Sequence, residues 1–263
     1  MANTVTTAYD RAKAARGSQR PSAGGYMKML VDDFIELHGD RRFGDDPAIV
    51  SGIGFLNGEP VTVIAMERGD TIEDRMRRKF GCPTPEGYRK ALRLMKEAEK
   101  FKRPVICFIG SSGAYPGIEA EERGQGEAIA ENLYEMMTLK TPVISVVVGE
   151  GGSGGALALG VGNTVVMLEN AIYSVISPEA CATILWKDAA KAPEAADALK
   201  FTAENLYEFG VIEKIIGEAD RTVEEIAADL KNYLTEQVGQ KKKMSVDELL
   251  DERYNKFRKI GAR

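Results

Sequence analysis

Two glycine-rich stretches hold the residues best suited to chemistry in this chain of 263 residues: Gly149-Glu-Gly-Gly-Ser-Gly-Gly-Ala156 and Gly110-Ser-Ser-Gly-Ala-Tyr-Pro-Gly117. Each follows an apolar run and precedes a helical pattern. Glycine lets the backbone approach a ligand closely, and a helix starting there aims its unbonded N–H groups and positive dipole end at it. Such a turn suits phosphate, an oxyanion or an enolate. Two of them at the ends of parallel strands would converge on one crevice, where open α/β sheets bind ligands.

Three chemistries compete for the later turn. Gly149-x-Gly151-x-x-Gly154 satisfies the dinucleotide fingerprint, with Glu169 about 20 residues on. Against it, Gly160 and Gly162 cut the following helix short, and a strand-like run begins at Thr164. Gly151-Gly-Ser153-Gly-Gly155 satisfies the nucleophile elbow of α/β-hydrolases, a fold whose general base, a histidine, follows the serine. The single histidine, His38, lies far upstream in Leu37-His-Gly-Asp40 and reads as a loop or cap residue. A serine without a base is a poor nucleophile. The third chemistry is an oxyanion hole of backbone N–H groups with no side-chain nucleophile. The plainer alternative is a pair of tight strand-to-helix turns.

The elements that must position these turns alternate. Helical patterns cover residues 4–16 and 22–37, with Pro21 and Gly24-Gly25 marking the break. Ala48–Leu56 and Pro60–Ala65 are β-rich runs joined by Asn57-Gly58, a strong hairpin signal. Glu86–Phe101 sets Tyr88, Ala91, Leu92, Met95 and Ala98 at helical spacing. Three near-continuous apolar runs follow, Pro104–Ile109, Pro142–Val148 and Thr164–Leu168. A helix between the first two carries Ile129, Leu133, Met136 and Met137 on one stripe, with Glu127, Glu131 and Glu135 off it. Strands apolar on both faces and separated by helices predict an α/β fold with a covered parallel sheet. Ser177-Pro178-Glu179 starts a helix, and Thr222…Glu225 and Ser245…Glu248 are capping boxes opening terminal helices. Glu121, Glu122 and Arg123 read as a charged helix start, Lys241–Lys243 as a solvated loop, and Trp186 and Met137 as core.

Composition narrows the class. A hydrophobic fraction of 44% and a charged fraction of 29% fit a globular chain able to bury a large core. No stretch approaches the roughly 20 apolar residues of a membrane span, and Met1–Arg20 has no apolar leader segment. Cys82, Cys107 and Cys181 form no C-x-x-C pair, which argues against a disulfide framework or zinc ribbon. Buried free thiols in a reducing compartment, the cytoplasm, are expected. A net charge of −5 gives no footprint for nucleic acid.

Longer motifs bring a family into view. Asp32-Asp-Phe-Ile-Glu-Leu-His-Gly-Asp-Arg41, Pro85-Glu-Gly-Tyr-Arg-Lys-Ala-Leu-Arg93, Gly113-Ala-Tyr-Pro-Gly117, Glu121-Glu-Arg-Gly-Gln125, Gly149–Ala158, Tyr173-Ser-Val-Ile-Ser-Pro-Glu179 and Ile184-Leu-Trp-Lys187 occur in this order. Together they resemble the carboxyltransferase alpha-subunit family of multi-subunit acetyl-CoA carboxylases, from about Ala8 to near the C-terminus. The resemblance implies a crotonase-like fold of repeated ββα units in three parts: residues 1–40 as a helical extension, 41–220 as the core and 221–263 as C-terminal helices. It also implies transfer of a carboxyl group from carboxybiotin to acetyl-CoA, giving malonyl-CoA for fatty acid synthesis. The biotin would ride on a separate carrier protein, with no covalent cofactor, zinc or other metal in this chain. A beta subunit would complete the site, two alpha with two beta, and a biotin carboxylase would belong to the larger complex. A free-standing acyl-CoA hydratase or isomerase of the same fold, using Glu121 or Glu150, is the alternative.

By the same resemblance, the amides of Gly154 and Gly155 form the oxyanion hole for the biotin enolate. Gly113, Ala114, Tyr115, Gly117, Gly151, Gly152 and Ala156 line the substrate pocket. The chain departs from the family in two places. Ser111-Ser112 stand where Thr-Pro is usual, which predicts a less rigid turn, and Arg68-Gly69-Asp70 replaces a Lys-Gly-Arg stretch. Arg75, Arg77, Arg78 and Lys79 either compensate for the lost charge at a coenzyme phosphate or form a solvated face. The N-terminus lacks a longer helical extension of many relatives, so some subunit contacts are expected to be missing.

Overall fold

The computed structural model describes residues 7–262. Asn57 and Gly58 take left-handed backbone angles (φ 48° and 81°), and they close the hairpin of β2 (Ile49–Leu56) and β3 (Glu59–Met66). That geometry matches the right-handed twist of the flanking strands. Helix α4 (Pro85–Lys100) then crosses to β4 (Val105–Ser111), which runs parallel to β3. The short α5 (Ile118–Glu122) and α6 (Gln125–Thr138) lead to β5 (Val143–Gly152), parallel to β4. After α7 (Ser153–Leu157), β6 (Thr164–Leu168) joins β5, and β8 (Lys214–Ile216) joins β6, both parallel. The apolar runs are therefore sheet strands, and every residue of β6 is buried.

β5 makes two sets of pairings. Its first half, Ile144–Val147, lies between β4 and β6. Its second half, Glu150–Gly152, pairs with Ser111 and with β7 (Ile172–Ser174), beyond an irregularity between Ile109 and Ser111. The sheet thus bends where both glycine turns begin. α4 and α6 pack on each other, and α2 (Ala23–Leu30) packs with α11 (Val223–Lys241) over β3, β4 and β5.

The helix expected over 22–37 is cut at Leu30. Val31 turns extended, and Asp32–Glu36 form β1, antiparallel to β2 at the sheet edge. Gly52 and Gly54 of β2 are the physical cause. A Cβ at Gly52 would lie 2.0 Å from the Ile35 carbonyl oxygen, so glycine alone lets β1 pair so closely. Tertiary pairing here overrides local periodicity. The first helix, α1, spans Ala8–Arg16; positions 4–6 of its expected range lie outside the described residues.

The remaining helices are α3 (Ile72–Arg77), α8 (Pro178–Trp186), α9 (Ala192–Leu199), α10 (Ala203–Glu208) and α12 (Val246–Lys259). Both capping boxes form, at Thr222/Glu225 and Ser245/Glu248. Three expectations are corrected. Trp186 is 40% exposed at the end of α8 rather than core. Glu121, Glu122 and Arg123 close α5 instead of opening a helix. Lys241 ends α11 and pairs with Glu252, so it belongs to the helix, while Lys242, paired with Glu59, and Lys243 are exposed in the turn to α12 as expected. No described helix is long and apolar enough to cross a membrane.

Candidate active site

The two glycine turns meet. Because β4 and β5 are neighbours, Ser111 pairs with Gly151, and the chain beyond each strand folds over the other. A Cβ placed on Gly152 would come within 2.0 Å of the Ser112 carbonyl oxygen. One placed on Gly155 would lie 2.4 Å from the Ala114 amide nitrogen and 2.7 Å from the Gly113 carbonyl carbon. No side chain fits at either position without backbone movement. At Gly154, by contrast, the nearest atom would be Ile129 Cγ2 at 3.7 Å, an ordinary contact.

The first turn is clamped locally. Ser111 is buried; its hydroxyl accepts from the Gly113 amide (3.1 Å) and donates to the Gly113 carbonyl (2.8 Å). The clamp comes from Ser111, where the family has threonine, and not from Ser112, where it has proline. Gly113 itself sits at φ 147°, where a side chain is strained. Ser112 lies 3.3 Å from the sulfur of Cys82, which is half-buried rather than enclosed. Burial raises the Cys82 thiol above its usual range, with the Ser112 hydroxyl opposing. At the second turn, Ser153 adopts a left-handed angle (φ 56°), which swings the chain sharply from β5 into α7. Among the described residues, no side chain caps α7, and no turn or loop carbonyl takes up the amides of Gly154 or Gly155.

Tyr88 of α4 lies beneath the junction. It is fully buried, and its hydroxyl would stand 2.8 Å from a Cβ on Gly155. That hydroxyl has no hydrogen-bond partner, and burial raises its pKa well above the usual value.

Three of the motifs that carry the resemblance brace this site. Asp40 accepts from the amides of Arg42, Phe43 and Gly44 (2.7–2.9 Å) and from Arg89 Nε (2.9 Å). Arg89 also reaches Glu86 (3.1 Å) and donates to the Arg123 carbonyl (2.9 Å), and Arg123 pairs with Glu86 (2.7 Å). Lys90, fully buried, holds Asp45 (2.6 Å) and the Asp46 carbonyl (2.8 Å). The loop at 40–46, α4 and the end of α5 are therefore one network. Burial opposes the charge of Asp40, but its amides and Arg89 prevail and hold the carboxyl at about 2. His38 is an exposed loop residue 3.0 Å from Asp45.

Of the residues singled out in the sequence, Gly113, Ala114, Gly151, Gly152, Gly154 and Gly155 are brought together. Tyr115 lies to one side, its amide bonded to the Pro83 carbonyl (3.0 Å) and its ring under Lys79. Gly117 is the N-cap of α5, and Ala156 is fully buried in the core. Glu150 is paired with Arg16 (2.8 Å). Arg77 and Arg78 are paired with Asp74, and Arg78 also donates to the Pro47 carbonyl (2.5 Å). Arg16 and Arg20 flank the turns and escaped the sequence reading, since no motif spacing marks them; Arg68, singled out there as a departure from the family's Lys-Gly-Arg stretch, flanks them too. Among the described residues, no group of three or more His, Cys, Asp or Glu is placed to hold a metal ion.

An α/β sheet of this order, bent at two touching glycine turns, defines a crotonase-like fold. Transcarboxylase 12S superposes on it with a TM-score of 0.68 at 18% identity; the match covers 90% of this chain and 44% of that longer one, a likeness of fold. The family model for acetyl co-enzyme A carboxylase carboxyltransferase-like proteins matches residues 3–261. The acetyl-coenzyme A carboxylase carboxyl transferase alpha subunit of Ruminiclostridium cellulolyticum is 55% identical over 255 residues, covering 97% of this chain and 98% of that one. The Shouchella clausii alpha subunit is 57% identical over 257 residues, covering 96% and 79%. The chain belongs to the acetyl-coenzyme A carboxylase carboxyl transferase alpha-subunit family.

Proposed function

We propose that this chain is the alpha half of a carboxyltransferase that moves a carboxyl group from carboxybiotin to acetyl-CoA, giving malonyl-CoA. The observation that carries the reading is the contact between Gly155 and Ala114, which leaves room for backbone and nothing else. In the reaction the N–CO2 bond of carboxybiotin breaks, charge passes to the ureido oxygen, and a C–C bond forms at the acetyl methyl carbon. Its displaced proton goes to the biotin ring nitrogen. This chain's part is to hold the ureido oxygen with the amides of Gly154 and Gly155, between walls formed by Gly113, Ala114, Gly151 and Gly152. Each such donor is worth on the order of 3 kcal/mol in the transition state. An apolar cavity of about 440 Å3 beside Ser153 and Gly154, walled by Leu157, Tyr173 and Val175, offers an apolar surface for the ring system.

The thioester oxygen needs a second hole, which a beta subunit supplies in this reading, in an assembly of two alpha and two beta chains served by a biotin carrier protein in the cytoplasm. Substrate biotin itself accepts the proton, so no general base is required of this chain. The free-standing hydratase reading draws no support from Glu150, which is engaged by Arg16, or from Glu121, which is exposed. The test is the reverse reaction: malonyl-CoA with biocytin, using the chain alone and then with its cognate beta subunit. Acetyl-CoA released only by the mixture is expected. Release by the chain alone, or none from a folded complex, would overturn the reading.

A further inference from the structure

Behind the glycine turns, away from Gly154, lies a second cavity of about 250 Å3. Arg16, Arg20, Arg68 and Arg75 all line it, together with Ser22 and Ser111. The four guanidiniums are not equivalent. Arg20 forms a two-pronged pair with Glu218 (2.7 and 3.0 Å), which neutralises it. Arg16 is matched by Glu150 (2.8 Å) and Glu179 (2.9 Å). Arg68 instead donates only to neutral carbonyls, those of Arg16 (3.3 Å), Gly17 (2.8 Å) and Arg20 (2.8 Å). Arg75 donates through Nε to the Gly69 carbonyl (3.1 Å). Among the described residues neither Arg68 nor Arg75 has a carboxylate at ion-pair distance. The adjacent Glu67 is engaged elsewhere, accepting from the Ser22 hydroxyl (2.7 Å) and the Gly69 amide (2.7 Å).

Glu150 also lines the space but is paired with Arg16, so Arg68 and Arg75 face it together with no carboxylate in direct contact, an arrangement that a further anion would relieve. Burial lowers the pKa of Arg68, the charges of Arg75 and Arg20 lower it further, and Glu67 and Asp70 oppose them from farther off. We propose that this cavity is a binding site for a phosphate-type dianion, held between Arg68 and Arg75. A dianion answers both unmatched guanidiniums at once, whereas a single carboxylate leaves one uncompensated. The terminal nitrogens of Arg75 are uncommitted and present the planar fork that phosphate oxygens accept. Since Ser111 lines the cavity and also clamps the first glycine turn, an occupant here borders that turn.

Two sources present this chemistry, free phosphate and the diphosphate of a coenzyme A molecule; only the second rests on the function proposed above. The test is isothermal titration of the full chain with inorganic phosphate, pyrophosphate, coenzyme A, pantetheine and acetate, at one fixed ionic strength. Saturable binding of phosphate or pyrophosphate is expected, weakened about tenfold or more in Arg75→Gln and partly restored in Arg75→Lys. Arg77→Gln, which alters an exposed pair with Asp74 outside the cavity, should bind like the wild type. Coenzyme A binding that is lost in Arg75→Gln, with none for pantetheine, identifies the coenzyme as the source; phosphate binding without coenzyme A identifies a free-phosphate site. Equal affinity in the wild type and Arg75→Gln, or acetate binding as tightly as phosphate, would overturn the proposal. Because no carboxyl transfer is measured, failure here leaves the carboxyltransferase assay independent.

Discussion

Gly155 and Ala114 come from turns more than forty positions apart, yet a Cβ on the first would stand 2.4 Å from the amide nitrogen of the second. Neither turn is therefore free to change alone. Backbone packed on backbone fixes both turns, and donors held in this way are preorganised before any ligand arrives.

The neighbouring glycines should consequently differ. Gly155→Ala forces the two turns apart and is expected to cut carboxyl transfer about 100- to 1,000-fold. Gly154→Ala adds a methyl group that meets only Ile129 at 3.7 Å, so its fold is retained and its transfer falls less than about tenfold. Steady-state assays of both variants with the beta subunit decide the matter. Equal losses would show that steric packing of the turns is not what holds the site.

Asp40 links acidity to stability. Its carboxyl is held at about 2 in the folded chain, below the roughly 3.9 of an unfolded one. The stability it contributes is fully present above about pH 4 and is lost as pH falls through 2. Urea unfolding between pH 6 and pH 2.5 should show wild-type stability dropping in that window, with about 1–2 kcal/mol of the drop absent from Asp40→Asn. Parallel pH curves for the two proteins would mean that Asp40 is not held low.

Tyr88 carries a buried hydroxyl with no partner, and an unsatisfied buried donor costs roughly 1–3 kcal/mol. Tyr88→Phe removes the hydroxyl while keeping the ring that fills the space under Gly155. The variant is expected to melt at the wild-type temperature or a few degrees above it. A lower melting temperature would show that the hydroxyl is bonded in solution.

Arg253 is the largest fully buried side chain, and it reaches the carbonyls of Met136 (2.5 Å), Leu139 (2.9 Å) and Thr141 (3.0 Å) and the side chain of Asn163 (2.6 Å). Burial lowers its pKa to about 10, still well above neutrality, so it stays charged there. Arg253→Met leaves those oxygens without a donor and should cost about 3–5 kcal/mol in urea unfolding. A loss under about 1 kcal/mol would show that water replaces the guanidinium.

How far the sequence revealed this depended on how local each signal was. The hairpin at Asn57-Gly58, α4, the apolar strands and both capping boxes are set by neighbouring residues, and they stand where periodicity and turn chemistry place them. The convergence of the two glycine turns also followed from parallel strand order. β1 was hidden because its conformation depends on Gly52 and Gly54, which come about twenty positions later. Arg16 and Arg20 behind the turns were hidden for a similar reason: Arg20 and Glu218 are 198 residues apart, and no spacing rule joins them. Trp186 misled because size and apolarity favour burial only where something covers the residue, and α8 leaves it 40% exposed.

The Arg253 latch also sets an order of events during synthesis. Met136 leaves the ribosome 117 residues before the guanidinium that satisfies its carbonyl. At cellular elongation rates that interval lasts on the order of ten seconds. Throughout it, the loop after α6 can be finished only by water or by a chaperone. A nascent chain halted before α12 therefore leaves the carbonyls of Met136, Leu139 and Thr141 without the donor that the complete chain supplies.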